Sequence, residues 1–199
     1  NCPNLQTVEY NAFYYSLFTG DFNCPNLTTV DYNAFRNSVF TGDFNCPNLT
    51  TIGGYAFQQS NFNGSLNLPV CNYIGYEAFT DSIFSGSLSL PVCTYIGRYA
   101  FQLSNFSGSL SLPACTAVGQ YAFANSSFSG SLDLPMCTWI GQDAFYSSNF
   151  TQITIGANAT LGDDCIGYHS TEFIQDYADN GKLAGTYVWD EATQHWIYQ

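Results

Sequence analysis

The chain has 199 residues, enough for one elongated domain with a small end piece; its formal charge is −12, with 15 acidic residues against Arg36, Arg98 and Lys182. That balance argues against nucleic acid and anionic lipid as partners, because phosphate contacts demand clustered Lys and Arg. Charged residues make up only 9% of the chain and aromatics 18%, so Ser, Thr and Asn supply most of the polar surface, which suits glycan or protein contact and equally plain solubility.

Ala-Phe recurs every 22 residues, in seven copies: Ala12-Phe13, Ala34-Phe35, Ala56-Phe57, Ala78-Phe79, Ala100-Phe101, Ala122-Phe123 and Ala144-Phe145. A fixed period of this length means one short supersecondary unit stacked on itself, a solenoid. Within each unit the columns run in chain order. A glycine opens it (Gly20, Gly42, Gly64, Gly86, Gly108, Gly130) and permits a sharp turn. A strand follows, reading Ser-Leu-x-Leu-Pro at Leu66/Leu68, Leu88/Leu90, Leu110/Leu112 and Leu132/Leu134, with Phe22/Cys24 and Phe44/Cys46 in the earlier copies. Alternation at period two puts these side chains inward and the residue between them outward. Proline at 3, 25, 47, 69, 91, 113 and 135 ends the strand, since it lacks the amide a ladder needs. The rest of the unit returns over the back of the coil.

That return carries an inward β-branched residue (Val8, Val30, Ile52, Ile74, Ile96, Val118, Ile140), the Ala-Phe pair, a serine (Ser16 to Ser148) and a second Phe (Phe18 to Phe150). No single turn buries its own aromatics, so Phe13 is expected to pack on Phe35 of the next. Each such burial is worth roughly 1.5–3 kcal/mol, and the stack extends about 30 Å at strand spacing. The serine hydroxyls are expected to satisfy backbone groups turn after turn.

Residues 156–199 read as a cap on residues 1–155. Ile153-Thr-Ile155 reads as a last, shortened strand. Glu172 to Ala178 suits a short helix, capped by Ser170 or Thr171 and stopped at Asn180-Gly181. Gly185 to Trp189 and His195 to Tyr198 read as a hairpin turning near Asp190–Thr193. Such a lid is what an open solenoid end requires; a sharper reading makes Trp189 and Trp196 a stacking platform for sugars.

Eight cysteines invite a disulfide or metal reading, but their columns exchange with leucine. Cys2, Cys24 and Cys46 stand where later copies have Leu68, Leu90, Leu112 and Leu134. Cys71, Cys93, Cys115 and Cys137 stand where earlier ones have Leu5, Leu27 and Leu49. Cysteine here behaves as a small core hydrophobe, and a ladder does not converge four ligands on zinc. Cys165 lies outside both columns.

Two rows of residues are candidate binding surfaces. The outward strand row is Asn23, Asn45, Asn67, Ser89, Ser111 and Asp133, with Asp21 and Asp43 nearby. Ligand contact competes there with a plainer role, in which stacked Asn side chains bond each other and keep the sheet soluble. The second row precedes the inward β-branched residue and offers Tyr73, Tyr95 and Trp139, with Tyr76, Tyr99 and Tyr121 close by. Tyr and Trp are favoured at binding hot spots and also in β-rich packing. His169 and His195 fall in no nucleophile or metal motif, Asp163-Asp164 reads as a solvated turn, and no phosphate loop is present, so no catalytic residue, metal or cofactor is assigned. Seven Asn-x-Ser/Thr sequons occur, at Asn26, Asn48, Asn63, Asn105, Asn125, Asn149 and Asn158.

The pattern resembles the BspA-like leucine-rich repeats of bacterial surface proteins, which run Leu-x-Leu-Pro, a hydrophobic residue, then Ile-Gly-x-x-Ala-Phe. Residues 88–101 read Leu-Ser-Leu-Pro-Val-Cys-Thr-Tyr-Ile-Gly-Arg-Tyr-Ala-Phe. Glu9 and Asp31 depart from it, standing where later copies have Gly53, Gly75, Gly97, Gly119 and Gly141. The resemblance implies a β-rich leucine-rich-repeat superhelix of about seven turns, a secreted or cell-surface location, and adhesion or binding of an extracellular protein or glycan.

The expectation is therefore a non-enzymatic surface domain that binds a macromolecule through its strand face. A passive spacer and a polysaccharide-degrading β-solenoid are the alternatives; the second needs grouped carboxylates, and only Asp21 and Asp43 stack on the strand side. No apolar run approaches the ~20 residues of a membrane span, and no signal peptide is visible. The chain begins inside a repeat and reads as a piece of a longer protein, with an open first turn available for end-to-end self-association.

Overall fold

A computed structural model describes residues 2–199. It is a β-solenoid of about seven turns with one short helix near its C-terminal end. Each coil has three sides. The first is a strand of only two residues, and eight of these form one parallel sheet: Thr7–Val8, Thr29–Val30, Thr51–Ile52, Tyr73–Ile74, Tyr95–Ile96, Ala117–Val118, Trp139–Ile140 and Thr160–Leu161. Sequence reading placed this segment in the return, not in a sheet, because two residues are too few to show a period of two. Its β-branched member is buried from Val8 to Ile140.

Backbones approach closely just after this strand. A Cβ on Gly53, Gly75, Gly97, Gly119 or Gly141 would lie 2.4–2.7 Å from backbone of the preceding coil. Asp31 in that column keeps the same ladder bond, its N–H donating to Val8 O at 2.9 Å as Gly53 donates to Val30 O at 2.8 Å.

The second side is a tight arc around Ala-Phe. The residue before Ala is left-handed in every copy (Asn11, Asn33, Tyr55, Glu77, Tyr99, Tyr121, Asp143), and so is the residue three after it (Tyr15, Asn37, Gln59, Asp81, Leu103, Asn125, Ser147). A left-handed non-glycine residue costs about 1–2 kcal/mol. Here that conformation turns the N–H along the rod. Tyr55 donates to Tyr76 O at 2.8 Å, Phe57 to Ala78 O at 2.7 Å and Gln59 to Thr80 O at 3.0 Å, and the other coils repeat the pattern. Inside the arc the phenylalanines stack. Phe13 lies on Phe35 at 5.0 Å between ring centroids and 4° between planes, and the column continues so to Phe145. The second Phe column meets it edge to face, as Phe101 meets Phe106.

The third side is the strand before proline. It is short in the early copies (Phe22–Asn23, Phe44–Asn45, Leu66–Asn67, Leu88–Ser89) and long in the later ones (Asn105–Ser111, Ser127–Leu134, Asn149–Ile155). The hairpin Gly185–Asp190 and His195–Tyr198 then extends this sheet antiparallel.

The serine column is interior. Ser126 Oγ donates to Phe101 O at 3.2 Å and shares a bond with Ser104, but Ser38, Ser60, Ser82 and Ser148 hydroxyls have no partner. At those four turns the hydroxyl satisfies no backbone group, contrary to the expectation, and the side chain is buried.

The eight-stranded sheet runs on to Thr160–Leu161, beyond the expected boundary at 155, in a coil one residue shorter: Trp139 pairs with Thr160. The helix spans Ser170–Asp179 and is entered from His169 in a left-handed conformation, with no side-chain cap. Neither Ser170 nor Thr171 caps it, since Ser170 Oγ instead accepts the Ile166 N–H at 3.3 Å. Asn180 and left-handed Gly181 end it. Trp189 and Trp196 are 8% and 3% exposed, so they form no platform; they pack with Phe173 and Tyr187 beneath the helix. Tyr177 OH donates to Gly156 O at 2.6 Å and accepts the Ala159 N–H at 2.9 Å, tying the helix to the last coil.

Candidate functional site

The outward row lies along the third side, one residue per coil. Inward neighbours anchor each member: Phe22 and Cys24 flank Asn23, and Leu110 and Leu112 flank Ser111, all buried. Asn23, Asn45, Asn67, Ser89 and Ser111 are exposed and Asp133 is half-buried. The Asn side chains do not bond one another. Among the described residues the row's own side-chain bond is Ser111 Oγ to Asp133 Oδ2, 2.9 Å, and the side-chain amides of Asn23, Asn45 and Asn67 make none.

Beside this row runs a supporting column. Asp21 Oδ1 accepts the Asp43 N–H at 3.0 Å, Ser65 Oγ the Ser87 N–H at 3.2 Å and Ser109 Oγ the Ser131 N–H at 3.1 Å. Asp21 is thus occupied with holding the next coil.

Tyr73, Tyr95 and Trp139 sit on a different face, the first sheet. Tyr73 stacks on Tyr95 at 5.2 Å and 10°; Ala117 separates that pair from half-buried Trp139. The nine candidate residues therefore form two rows on two sides of the coil.

Tyr76, Tyr99 and Tyr121, expected beside the second row, belong to a longer aromatic file. Tyr10, Tyr32, Tyr55, Tyr76, Tyr99 and Tyr121 follow one another at 5.0–6.0 Å between centroids. Tyr10, Tyr32 and Tyr76 stand two residues before Ala and Tyr55, Tyr99 and Tyr121 one before it, so no single column holds them, yet the rings meet. Arg36 lies over Tyr55 at 5.0 Å and Arg98 over Tyr99 at 4.6 Å. Two of the chain's three basic side chains are thus held against tyrosine rings. The Glu77 carboxylate beside Tyr76 and the Asp143 carboxylate beside Tyr121 push those phenols upward.

All eight cysteines are free, and all but Cys2 are buried. Burial pushes the Cys71 and Cys137 thiols up to about 11 and Cys46, Cys115 and Cys165 to about 12. Cys71, Cys93, Cys115 and Cys137 each donate S–H to the carbonyl two residues on, at 3.2–3.5 Å. Among the described residues no three His, Cys, Asp or Glu side chains are grouped to hold a metal ion. His169 stacks on Trp189 at 3.8 Å, and His195 Nδ1 lies 2.9 Å from Asp176 Oδ1; both histidines serve the cap. No helix among the described residues is long and apolar enough to cross a membrane.

A family model described as the BspA type leucine rich repeat region matches the chain in six copies, over residues 1–85 and 50–172. No curated protein and no solved structure gives a match.

Proposed function

The chain belongs to the BspA-type leucine-rich repeat family, and from that premise we propose a non-enzymatic, secreted or cell-surface domain that binds an extracellular protein or glycan through the outward row. The observation that carries this reading is the row itself. Asn23, Asn45, Asn67, Ser89 and Ser111 are exposed at one per coil, on strands whose alternate side chains are buried in the core, Leu88 being partly so. Such a surface is ordered before the ligand arrives, so each small contact adds to affinity with little ordering cost.

Saturable binding to an array of matrix proteins, mucins and glycans tests the proposal, with a folded Asn45→Arg/Ser89→Arg variant alongside. Loss of a hit in the variant is expected. Undiminished binding by the variant removes this face from consideration, and silence across the array favours a spacer.

A further inference from the structure

We infer that this face takes a neutral, extended, β-linked glycan, held in two matched clefts; the inference rests on the reading of the outward row as the binding face. The ladder on this side is interrupted twice. Phe22–Asn23 pairs with Phe44–Asn45, and Leu66–Asn67 pairs with Leu88–Ser89, but nothing pairs the one couple with the other. The strand Asn105–Ser111 pairs backward only through Asn105 and Phe106, leaving Leu88–Ser89 unjoined to Leu110–Ser111. Junctions on this side thus alternate closed, open, closed, open before the long strands begin. The three side-chain clips from Asp21, Ser65 and Ser109 fall on the closed junctions.

A cleft opens at each interruption. One, of about 380 Å³, is lined by Phe44, Asn45, Ser65 and Asn67 with Asp43 and Pro47. The other, of about 290 Å³, is lined by Leu88, Ser89, Ser109 and Ser111 with Leu90, Pro91 and Pro113. The first four residues of each set occupy the same columns, two repeats apart. At closed junctions the strand amides donate across: Phe22 to Asp43 O at 2.9 Å, Cys24 to Asn45 O at 3.3 Å, Leu68 to Ser89 O at 3.1 Å. The equivalent amides of Phe44, Cys46 and Leu90 make no such bond. Backbone groups left without partners are strong, fixed hydrogen-bonding sites.

Three features choose the occupant. Unpaired amides beside Asn and Ser side chains offer both donors and acceptors, which is what sugar hydroxyls require. No Lys or Arg lines either cleft and Asp43 lines one, so a carboxylated or sulfated chain is repelled. The clefts are two coils apart, about 10 Å at strand spacing, which is the disaccharide period of an extended β-1,4-linked chain and not that of a coiled α-1,4-linked one.

Calorimetric titration of the whole chain with cellohexaose, mannohexaose, chitohexaose, cellobiose and maltohexaose tests this. At least one β-linked hexaose is expected to bind about tenfold or more tighter than maltohexaose and than a disaccharide, which fills one cleft and forgoes the linkage gain. Asn67→Trp and Ser111→Trp, each plugging one cleft, are each expected to weaken that binding about tenfold, and Ile83→Trp, outside both, to leave it unchanged. Equal binding of maltohexaose, or full binding by the folded plugged variants, overturns the inference. So does silence with every β-linked hexaose. If a protein ligand is meanwhile lost in the Asn45→Arg/Ser89→Arg variant, the face reading survives and the glycan fails alone.

Discussion

Phe57 lies flat on Phe79, ring centroids 4.9 Å apart and planes 2° from parallel. Both are fully buried, whereas Phe18 at the first coil is 65% exposed. Phe79→Ala is expected to cost about 3–5 kcal/mol, read from denaturant unfolding, and Phe18→Ala less than about 1 kcal/mol. Similar losses at the two sites would mean that stacking does not carry the stability of the coil.

A Cβ on Gly119 would lie 2.4 Å from the Arg98 backbone nitrogen. Gly119→Ala should therefore destabilise by about 1–3 kcal/mol. The conflict is with backbone, so adding Arg98→Ala should bring no recovery in the melting temperature; recovery would assign the crowding to the arginine side chain.

Seven buried thiols make the fold sensitive to alkali. Their folded pKa values rise from the ordinary 9.0, to about 11 at Cys71 and about 12 at Cys115. Below pH 9 thiols are neutral in both states and the contribution is complete. Above it the unfolded chain ionises first, so stability drains away between about pH 9 and the folded values. Thermal melts across pH 7–11 should show a midpoint flat below about 9 and falling beyond it. Under native conditions a thiol reagent should modify Cys2 alone, with the rest released on unfolding; rapid native labelling of Cys93 or Cys115 would contradict their burial.

Asp176 holds the cap's two halves together. Its Oδ1 meets His195 Nδ1 at 2.9 Å and its Oδ2 accepts the Trp196 N–H at 2.6 Å. Asp176→Ala strands that amide and should cost about 1–3 kcal/mol. Hydrogen exchange should quicken first along His195–Tyr198, with the coils around Phe79 unchanged; uniform acceleration along the chain would make the cap and solenoid one cooperative unit.

Much of the coil was legible because every copy repeats the same inward residues. The stacking of Phe13 on Phe35 and the strand before proline follow directly from those columns. Three things were hidden. The two-residue strands at Thr7–Val8 and its successors are too short to print a period. The tyrosine file from Tyr10 to Tyr121 straddles two columns. The alternation of open and closed junctions doubles the repeat without any matching change of residue: Ser65 and Ser87 are chemically identical, yet only Ser65 clips the coil that follows it. The difference lies in strand pairing, since Leu66–Asn67 pairs with Leu88–Ser89 but Leu88–Ser89 does not pair with Leu110–Ser111. At the helix start the failure was of another kind, since Ser170 has the right chemistry for a cap and is drawn away by Ile166.

The hydrogen bonds of the arc run one way along the rod, and those of the first sheet run the other way, as Thr29 to Gln6 O and Asp31 to Val8 O show. Amides at Asn11, Phe13 and Tyr15 all donate toward the second coil, and their counterparts in later coils do the same. Peptide dipoles therefore add along the arc and are opposed by those of the first sheet. The acceptors in the second coil are the carbonyls of Tyr32, Ala34 and Arg36, which occupy the columns of Tyr10, Ala12 and Tyr14 in the first. Carbonyl edge and amide edge thus match at every junction of the arc, so coils of this kind add head to tail in one sense only.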